Sequence, residues 1–259
     1  MMRSWKCRTP IFENLPCRAL GHWRHMSVEP ADATRLNATV GGTCLIVGGA
    51  AFATVRLLHG DTPAADAEGA MSFVASRPSY AAVHVGALFA ALVALIGLIA
   101  LANSLSRPAA WQLGRAGAAS ALVGVAIFGV ESTSEGLALP ELAQAATGAD
   151  PAYRSDLVSA VRAVAAATHG PSLVAMALLI GLPLLLFGLA MVIDAYPSWL
   201  GWTGIVIGAT TVITATSLYV VPDVVPGALL YGVLASIIAQ MWMVTLGVVM
   251  LRRVVRLSR

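Results

Sequence analysis

Long apolar runs separated by shorter polar segments dominate the chain. About 20 predominantly apolar residues suffice to cross a bilayer as a helix, and six runs reach that length. We place these membrane-spanning segments at about 38–58, 80–103, 117–138, 168–193, 199–221 and 227–251. The pattern therefore predicts an all-α fold, a polytopic membrane bundle of six transmembrane helices in one domain over residues 37–252.

The longest segment between the apolar runs covers residues 139–166. Asp150 followed by Pro151 is typical of a helix start, with a capping carboxylate before a proline at the first helical position. We predict a short amphipathic helix there, which either lies at the membrane interface or runs into the fourth span. Pro183 is expected to kink that span, because proline removes a helix hydrogen bond.

The distribution of positive charge predicts the orientation of the bundle. Charged residues make up only 11% of the chain, against about a quarter in soluble proteins. Of its 16 lysines and arginines, six lie in residues 1–36, two in the loop 104–116 and four from Arg252 onward. Six spans place all these segments on one side, and the positive-inside rule assigns that side to the cytoplasm. We therefore expect a multi-pass plasma-membrane protein with both termini cytoplasmic.

The two ends of the chain carry basic tails. Residues 1–36 are expected to be a disordered cytoplasmic tail, and residues 253–259 a second cytoplasmic tail. The basic C-terminal tail is better explained by contact with lipid headgroups than by nucleic-acid binding. The lipid bilayer is thus the main expected partner, and no nucleic acid is expected.

Aromatic residues fall near the predicted membrane boundaries. Trp111, Trp199 and Trp202 lie at the predicted inner boundary, and Tyr80 and Tyr219 at the outer one. Such aromatic belts are typical of membrane–water interfaces.

Two acids interrupt the third span. Glu131 and Glu135 are four residues apart, so they share one helix face. A carboxylate at membrane depth costs at least a few kcal/mol, and such groups usually face a bundle interior or a water-filled cavity. This pair marks the place where a functional site is expected.

Two histidines are expected near those acids. His84 opens the second span and His169 opens the fourth, both at the outer side of the predicted topology. A rise of about 1.5 Å per residue places His84, Glu131, Glu135 and His169 within the outer quarter of the membrane. Two imidazoles with one or two carboxylates suit zinc or iron, so we predict a metal site from these four residues.

Three alternatives to a metal site remain open at this point. His84 and His169 suit an axial pair for haem iron. The same groups suit a small-solute or proton transporter, because intramembrane acids and histidines mark such pathways. The third alternative is a structural or partner-binding subunit without catalysis, in which these side chains pair with one another or with water.

Further polar residues are expected to line the same cavity. Thr210, Thr214 and Ser217 form a stripe along the fifth span, and Gln240 lies near the middle of the sixth. Gly204 and Gly208 form a small-residue motif that permits close helix packing. That motif also suits contact with a second copy of the chain or with another membrane protein.

The N-terminal tail contains a weaker cluster of metal-binding residue types. Cys7, Cys17, His22 and His25 follow one another, but the first spacing is wider than zinc sites use. The chain has no zinc-protease motif, no phosphate-binding glycine loop and no dinucleotide fingerprint. The tail cluster therefore does not support a zinc site, and the sequence assigns no catalytic residue.

Several short motifs resemble a broad group of six-helix bacterial membrane proteins. These motifs are His84 at the start of span two, the acid late in span three, the segment Tyr196–Gly204, and Gln240 and Trp242 before a basic end. They are similar to those of membrane proteins of unknown function from GC-rich, actinobacterial-type bacteria, over about residues 35–255. The resemblance implies an integral plasma-membrane protein and no particular activity.

Overall fold

The computed structural model describes residues 30–60, 62–63, 66–221 and 232–257. Within these ranges the chain is helical and contains no β-strand. The α-helices are α1 Pro30–His59, α2 Ala67–Ala75, α3 Tyr80–Ser104, α4 Pro108–Thr133, α5 Leu139–Ala145, α6 Pro151–Met176, α7 Leu182–Ile193, α8 Ser198–Val220 and α9 Ala239–Leu257.

In the part of the chain that the structure describes, three π-helical turns interrupt the long helices. Ser134–Ala138 joins α4 to α5, Ala177–Gly181 joins α6 to α7, and Leu234–Ile238 leads into α9. With these turns included, six helices of the described chain are long and apolar enough to cross a membrane. They are Thr34–His59, Tyr80–Ser104, Pro108–Ala145, Pro151–Ile193, Ser198–Val220 and Leu234–Val255. The predicted six-helix membrane architecture is confirmed at this level.

The segments between the spans are more helical than the sequence pattern indicated. Helix α1 begins at Pro30, inside the expected disordered tail, and α2 lies within a stretch, residues 59–79, that reads as a polar loop. The segment 139–166, expected to be mostly loop, contains α5 and the start of α6. Both α2 and α5 are too short for a strong periodic signal, and packing against other helices stabilises them.

The predicted start of α6 is confirmed. The Asp150 carboxylate accepts hydrogen bonds from the backbone N–H groups of Ala152 and Tyr153, each at 3.0 Å. The helix then runs directly into the fourth span, which was one of the two expected arrangements. Pro183 follows the π-helical turn Ala177–Gly181, and the chain remains helical through it.

Neighbouring spans pack antiparallel in chain order, and α9 returns to α1. Gly41 lies beside Met250 and Gly49 beside Gln240, so the beginning of α1 meets the end of α9. Both ends of the helical domain therefore lie at the same end of the bundle.

Gly204 and Gly208 permit close packing between helices of this chain. A Cβ atom on Gly208 would lie 2.3 Å from the backbone nitrogen of Leu185, and one on Gly204 would lie 2.8 Å from the Trp242 ring. The Trp242 indole N–H also donates to the Leu200 carbonyl at 2.9 Å. The expected close-packing motif thus joins α8 to α7 and α9 within the chain, and both glycines are buried.

Hydrogen bonds between two loops fix the end of the bundle at which α1 begins and α9 ends. Asp194 accepts from the backbone and side chain of Ser106, each at 2.7 Å, and from the Ala195 N–H at 2.8 Å. Burial opposes ionisation of Asp194, but these hydrogen bonds outweigh it and lower the pKa of the carboxyl. Nearby, the Tyr196 and Ser104 hydroxyls lie 2.8 Å apart.

The opposite end carries a small helical cap. It consists of α2, α5 and the first half of α6, which share an apolar core separate from that of the bundle. The buried members of this core are Ala67, Ala70, Met71, Val74, Tyr80, Leu139, Ala143, Ala146, Leu157 and Val161. This cap adjoins the cavity in which the candidate site lies, since Ala70, Leu139 and Val161 also line that cavity.

Candidate metal centre

A cavity of about 380 Å³ lies between α1, α3, α4, α6 and the segment leading into α9. Its wall includes His84, Glu131, Glu135 and His169, the four site residues predicted from the sequence. The prediction that these side chains meet at one end of the bundle therefore agrees with their positions in the structure.

A tighter group within this cavity contains a residue that the sequence analysis missed. One ligand atom each from His59, His84 and Glu135 lies within 4.8 Å of the others. The Nε2 atoms of the two histidines are 3.3 Å apart. Two nitrogens bound to one tetrahedral zinc ion at about 2.0–2.1 Å are themselves about 3.3–3.4 Å apart. The two rings thus already have the spacing of two zinc ligands.

Backbone carbonyls fix both imidazole rings. His59 Nδ1 lies 2.7 Å from the Gly60 carbonyl oxygen, and His84 Nδ1 lies 3.0 Å from that of Tyr80. A carbonyl only accepts hydrogen bonds, so each Nδ1 carries the proton and donates it. In the neutral rings each Nε2 then presents a lone pair, and metal-ligating histidines commonly show this arrangement.

The third group of the site is held by a tyrosine. The Tyr80 hydroxyl donates to Glu135 Oε1 at 2.9 Å and lies 3.2 Å from the Thr62 hydroxyl. Tyr80 is only 3% exposed, so the expectation that it anchors an outer aromatic belt is wrong. Its ring instead packs beside those of His59 and His84, with centroid distances of 5.5 and 4.5 Å. A carboxylate oriented by such a neighbour is typical of metal sites.

Glu131 lies beside this group without belonging to it. Its side chain is 7% exposed, and its Oε2 atom has no hydrogen-bond partner among the described residues. It lies on the same cavity wall and interacts with Glu135. A buried carboxylate oxygen without a partner is costly, which favours a cation or a polar ligand next to it.

Two π-helical turns of the described chain contribute residues to the cavity wall, and a third begins directly after a wall residue. Glu135 lies within the first turn, Met176 immediately precedes the second, and Ala235 and Ser236 lie within the third. Single π-helical turns are rare in proteins, and those that do occur are often found at functional sites. Their convergence on one cavity is independent of the histidine geometry and points to the same place.

Two glycines and an arginine position the histidines. A Cβ atom on Gly136 would lie 2.6 Å from the Cβ of His84, so only glycine lets the π-helical turn approach that ring. Gly60 ends α1 with a positive φ of 68°, a conformation that glycine adopts without strain. The Arg77 guanidinium donates to the carbonyls of Leu58 and His59, which caps the end of α1.

His169 lines the cavity but stands apart from the three-residue group. It is exposed, and the group of close ligand atoms found in the described chain does not include it. The haem hypothesis required His84 and His169 to bind one iron. The Nε2 atom of His84 instead faces His59, and its Nδ1 is engaged by Tyr80. This geometry does not favour the haem pair.

The predicted polar lining has a different location. Thr210, Thr214, Ser217 and Gln240 are not among the residues that form the cavity wall. Thr214 is buried, Thr210 is half-buried and Ser217 is exposed. The Gln240 amide lies behind the wall and donates to the carbonyl of Ala235 at 3.0 Å. No residue of α8 lines the cavity.

Cys7, Cys17, His22 and His25 lie outside the described residues. Comparisons with protein-family models, with curated proteins and with solved structures found no match to the chain.

Proposed function

We propose that this is a multi-pass plasma-membrane protein, with both termini in the cytoplasm, that binds a zinc or iron ion near its outer face. The ligands are His59, His84 and Glu135. The observation that carries this proposal is the 3.3 Å separation of two Nε2 atoms whose rings both donate through Nδ1.

Two neutral imidazoles do not place their lone pairs against each other without something between them. A metal ion satisfies both nitrogens and also the nearby carboxylate of Glu135. A proton shared by the two rings is the competing explanation. It satisfies the nitrogens but accounts for neither the orientation of Glu135 by Tyr80 nor the unpartnered oxygen of Glu131.

The donor set narrows the choice of metal. Two imidazoles and one carboxylate suit zinc or non-haem iron, whereas calcium and magnesium prefer oxygen ligands alone. Three protein ligands leave at least one coordination position open, as in catalytic rather than structural zinc sites.

The packing below the cavity favours a binding site over a transport path. Phe52 and Phe128 line the cavity and have ring centroids 5.8 Å apart. Below them, the backbone at Gly48 closely approaches Ala94, and that at Gly124 closely approaches Leu179. Solute or proton transport through the cavity would require these contacts to open.

Metal analysis of the purified protein tests this proposal. The protein is loaded with zinc in mild detergent, passed through a desalting column and analysed for metal. We expect one zinc per chain in the wild type and less than a tenth of that in His59→Asn and His84→Asn. His169→Asn is the matched control, since it removes a histidine from the same cavity and should leave zinc content unchanged.

Two results would contradict the proposal. One is a wild-type protein that retains no zinc or iron after loading. The other is an equal loss of metal in the His169→Asn control. Circular dichroism and gel filtration of each variant separate loss of the site from loss of the fold.

A further inference from the structure

The cavity has a graded interior, polar near the metal site and apolar deeper in the bundle. On α1, Phe52 lies two turns from His59, and on α4, Phe128 lies two turns from Glu135, in both cases toward the membrane interior. A rise of about 1.5 Å per residue makes this offset roughly 10 Å. Glu131 lies between these two levels, about one turn below Glu135, so the apolar part of the cavity begins beyond Glu131 and extends into the bundle.

Helix α6 shows the same gradient from the other wall. From the cap inward, the residues of α6 that line the cavity are Val161, Ala165, Thr168, His169, Ser172 and Met176. The polar members of this set are followed, about one turn beyond Ser172 toward the membrane interior, by Met176. The change from polar to apolar residues toward the membrane interior is therefore shared by α1, α4 and α6.

The cavity is also larger than a metal ion requires. Its volume of about 380 Å³ falls in the range of small-molecule sites, which is about 300–1,000 Å³. A bound ion with three protein ligands leaves an open position, and the cavity offers space for a ligand beside it.

We propose that this open position binds the oxygen-bearing head group of an amphiphilic acyl compound, whose chain lies against Phe52, Ala87, Phe128 and Met176. The proposal rests on the metal site proposed above. Carboxylate-type oxygens are suitable zinc and iron ligands, and the distance of roughly 10 Å from the metal site to the level of Phe52 and Phe128 suits a medium-length chain. The bilayer around the bundle is a ready source of such compounds.

The test uses full-length protein loaded with Co²⁺, whose visible spectrum reports changes in coordination. Octanohydroxamate and acetohydroxamate are the probes, since they share a chelating head group and differ in chain length. Both should change the cobalt spectrum, and octanohydroxamate should half-saturate the change at a concentration at least tenfold lower.

Ala87→Leu narrows the apolar part of the cavity without altering a ligand. We expect this variant to retain cobalt and to lose the tenfold advantage of the longer chain. Ala126→Leu makes the same change at an exposed position on α4 and should behave as wild type. Partition of the probe into detergent micelles is equal for the two variants, so it cancels in the comparison.

The acyl-ligand proposal would be overturned, without affecting the metal site, by either of two results. One is equal affinity of the wild type for the two probes. The other is a tenfold preference for octanohydroxamate that persists in Ala87→Leu. Failure of the wild type to bind cobalt would overturn the metal site as well. If Ala87→Leu does not hold cobalt, Met176→Phe narrows the same cavity from α6, and the same comparison decides.

Discussion

Replacement of Gly136 by alanine should damage the metal site through His84. The added Cβ would lie 2.6 Å from His84 Cβ and 2.9 Å from His84 Cγ. Carbon atoms in contact normally lie about 3.5–4.0 Å apart, so the added Cβ and the His84 carbons must move apart by about 1 Å. The clash involves the base of the ring, which cannot rotate away while Nε2 stays in place.

The expected magnitude follows from this geometry. Overpacking of this kind costs about 1–3 kcal/mol, and alanine regains up to about 1 kcal/mol of helix propensity. A shift of His84 by about 1 Å would destroy its 3.3 Å spacing from His59. We therefore expect zinc affinity to fall at least tenfold, which is about 1.4 kcal/mol.

Gly129→Ala is the matched control for this prediction. Gly129 lies on the same helix and faces the same neighbour, α3, but its added Cβ would lie 3.5 Å from the Leu88 side chain. That distance is an ordinary contact, so zinc affinity should be unchanged. Competition with a chelating dye measures both affinities. Equal zinc affinity in Gly136→Ala and Gly129→Ala would show that contact with the base of the His84 ring does not control zinc binding.

Three other variants test the surroundings of the site and the fold. Arg77→Ala removes the cap at the end of α1 and should weaken zinc binding through His59 by about 10–100-fold, with a chelator titration as the measurement. Asp194→Asn should lower the free energy of unfolding at neutral pH by about 1–3 kcal/mol, because three donated hydrogen bonds lose a charged acceptor. Since folding lowers the pKa of this carboxyl from its ordinary value of 3.8, its contribution is present above that value. It disappears as the pH falls through the folded-state pKa, so thermal melts of the two proteins should converge in acid. Trp242→Phe should cost about 0.5–1.5 kcal/mol in the same melts, because the indole hydrogen bond to a neighbouring helix is lost.

The spans and four polar residues of the cavity wall follow from local sequence features. Hydropathy is a local property, so the length of the apolar runs alone predicts six long helices. The free-energy cost of burying a charge in a membrane is also local, and it predicts that Glu131 and Glu135 face the bundle interior. His84 and His169 follow because each opens a span that neighbours these acids.

His59 could not be assigned by the same reasoning. The apolar window ends at Leu58, so the next residue reads as the start of a polar loop. A signal was nevertheless present, because a histidine directly before Gly60 suits the last position of a helix that glycine ends. Its role also depends on a contact with His84, which is distant in sequence.

Local sequence features also do not predict the π-helical turns or the face of α8 that packs against the bundle. A single π-helical turn leaves no periodic signal, yet it sets the direction of Glu135. Thr210, Thr214 and Ser217 do share a helix face, but the glycines of α8 decide which face meets the bundle. Tyr80 is expected at the membrane interface until its partner Glu135, in the π-helical turn after α4, is known.

X-ray absorption spectroscopy at the zinc edge of the zinc-loaded protein shows directly which atoms bind the metal. We expect two imidazole nitrogens and at least one oxygen at about 2.0–2.1 Å. We also expect the imidazole scattering to fall by about half in any zinc that His59→Asn retains. A first shell without imidazole, or a protein that takes up no zinc, would contradict the assignment of His59, His84 and Glu135 as a metal site.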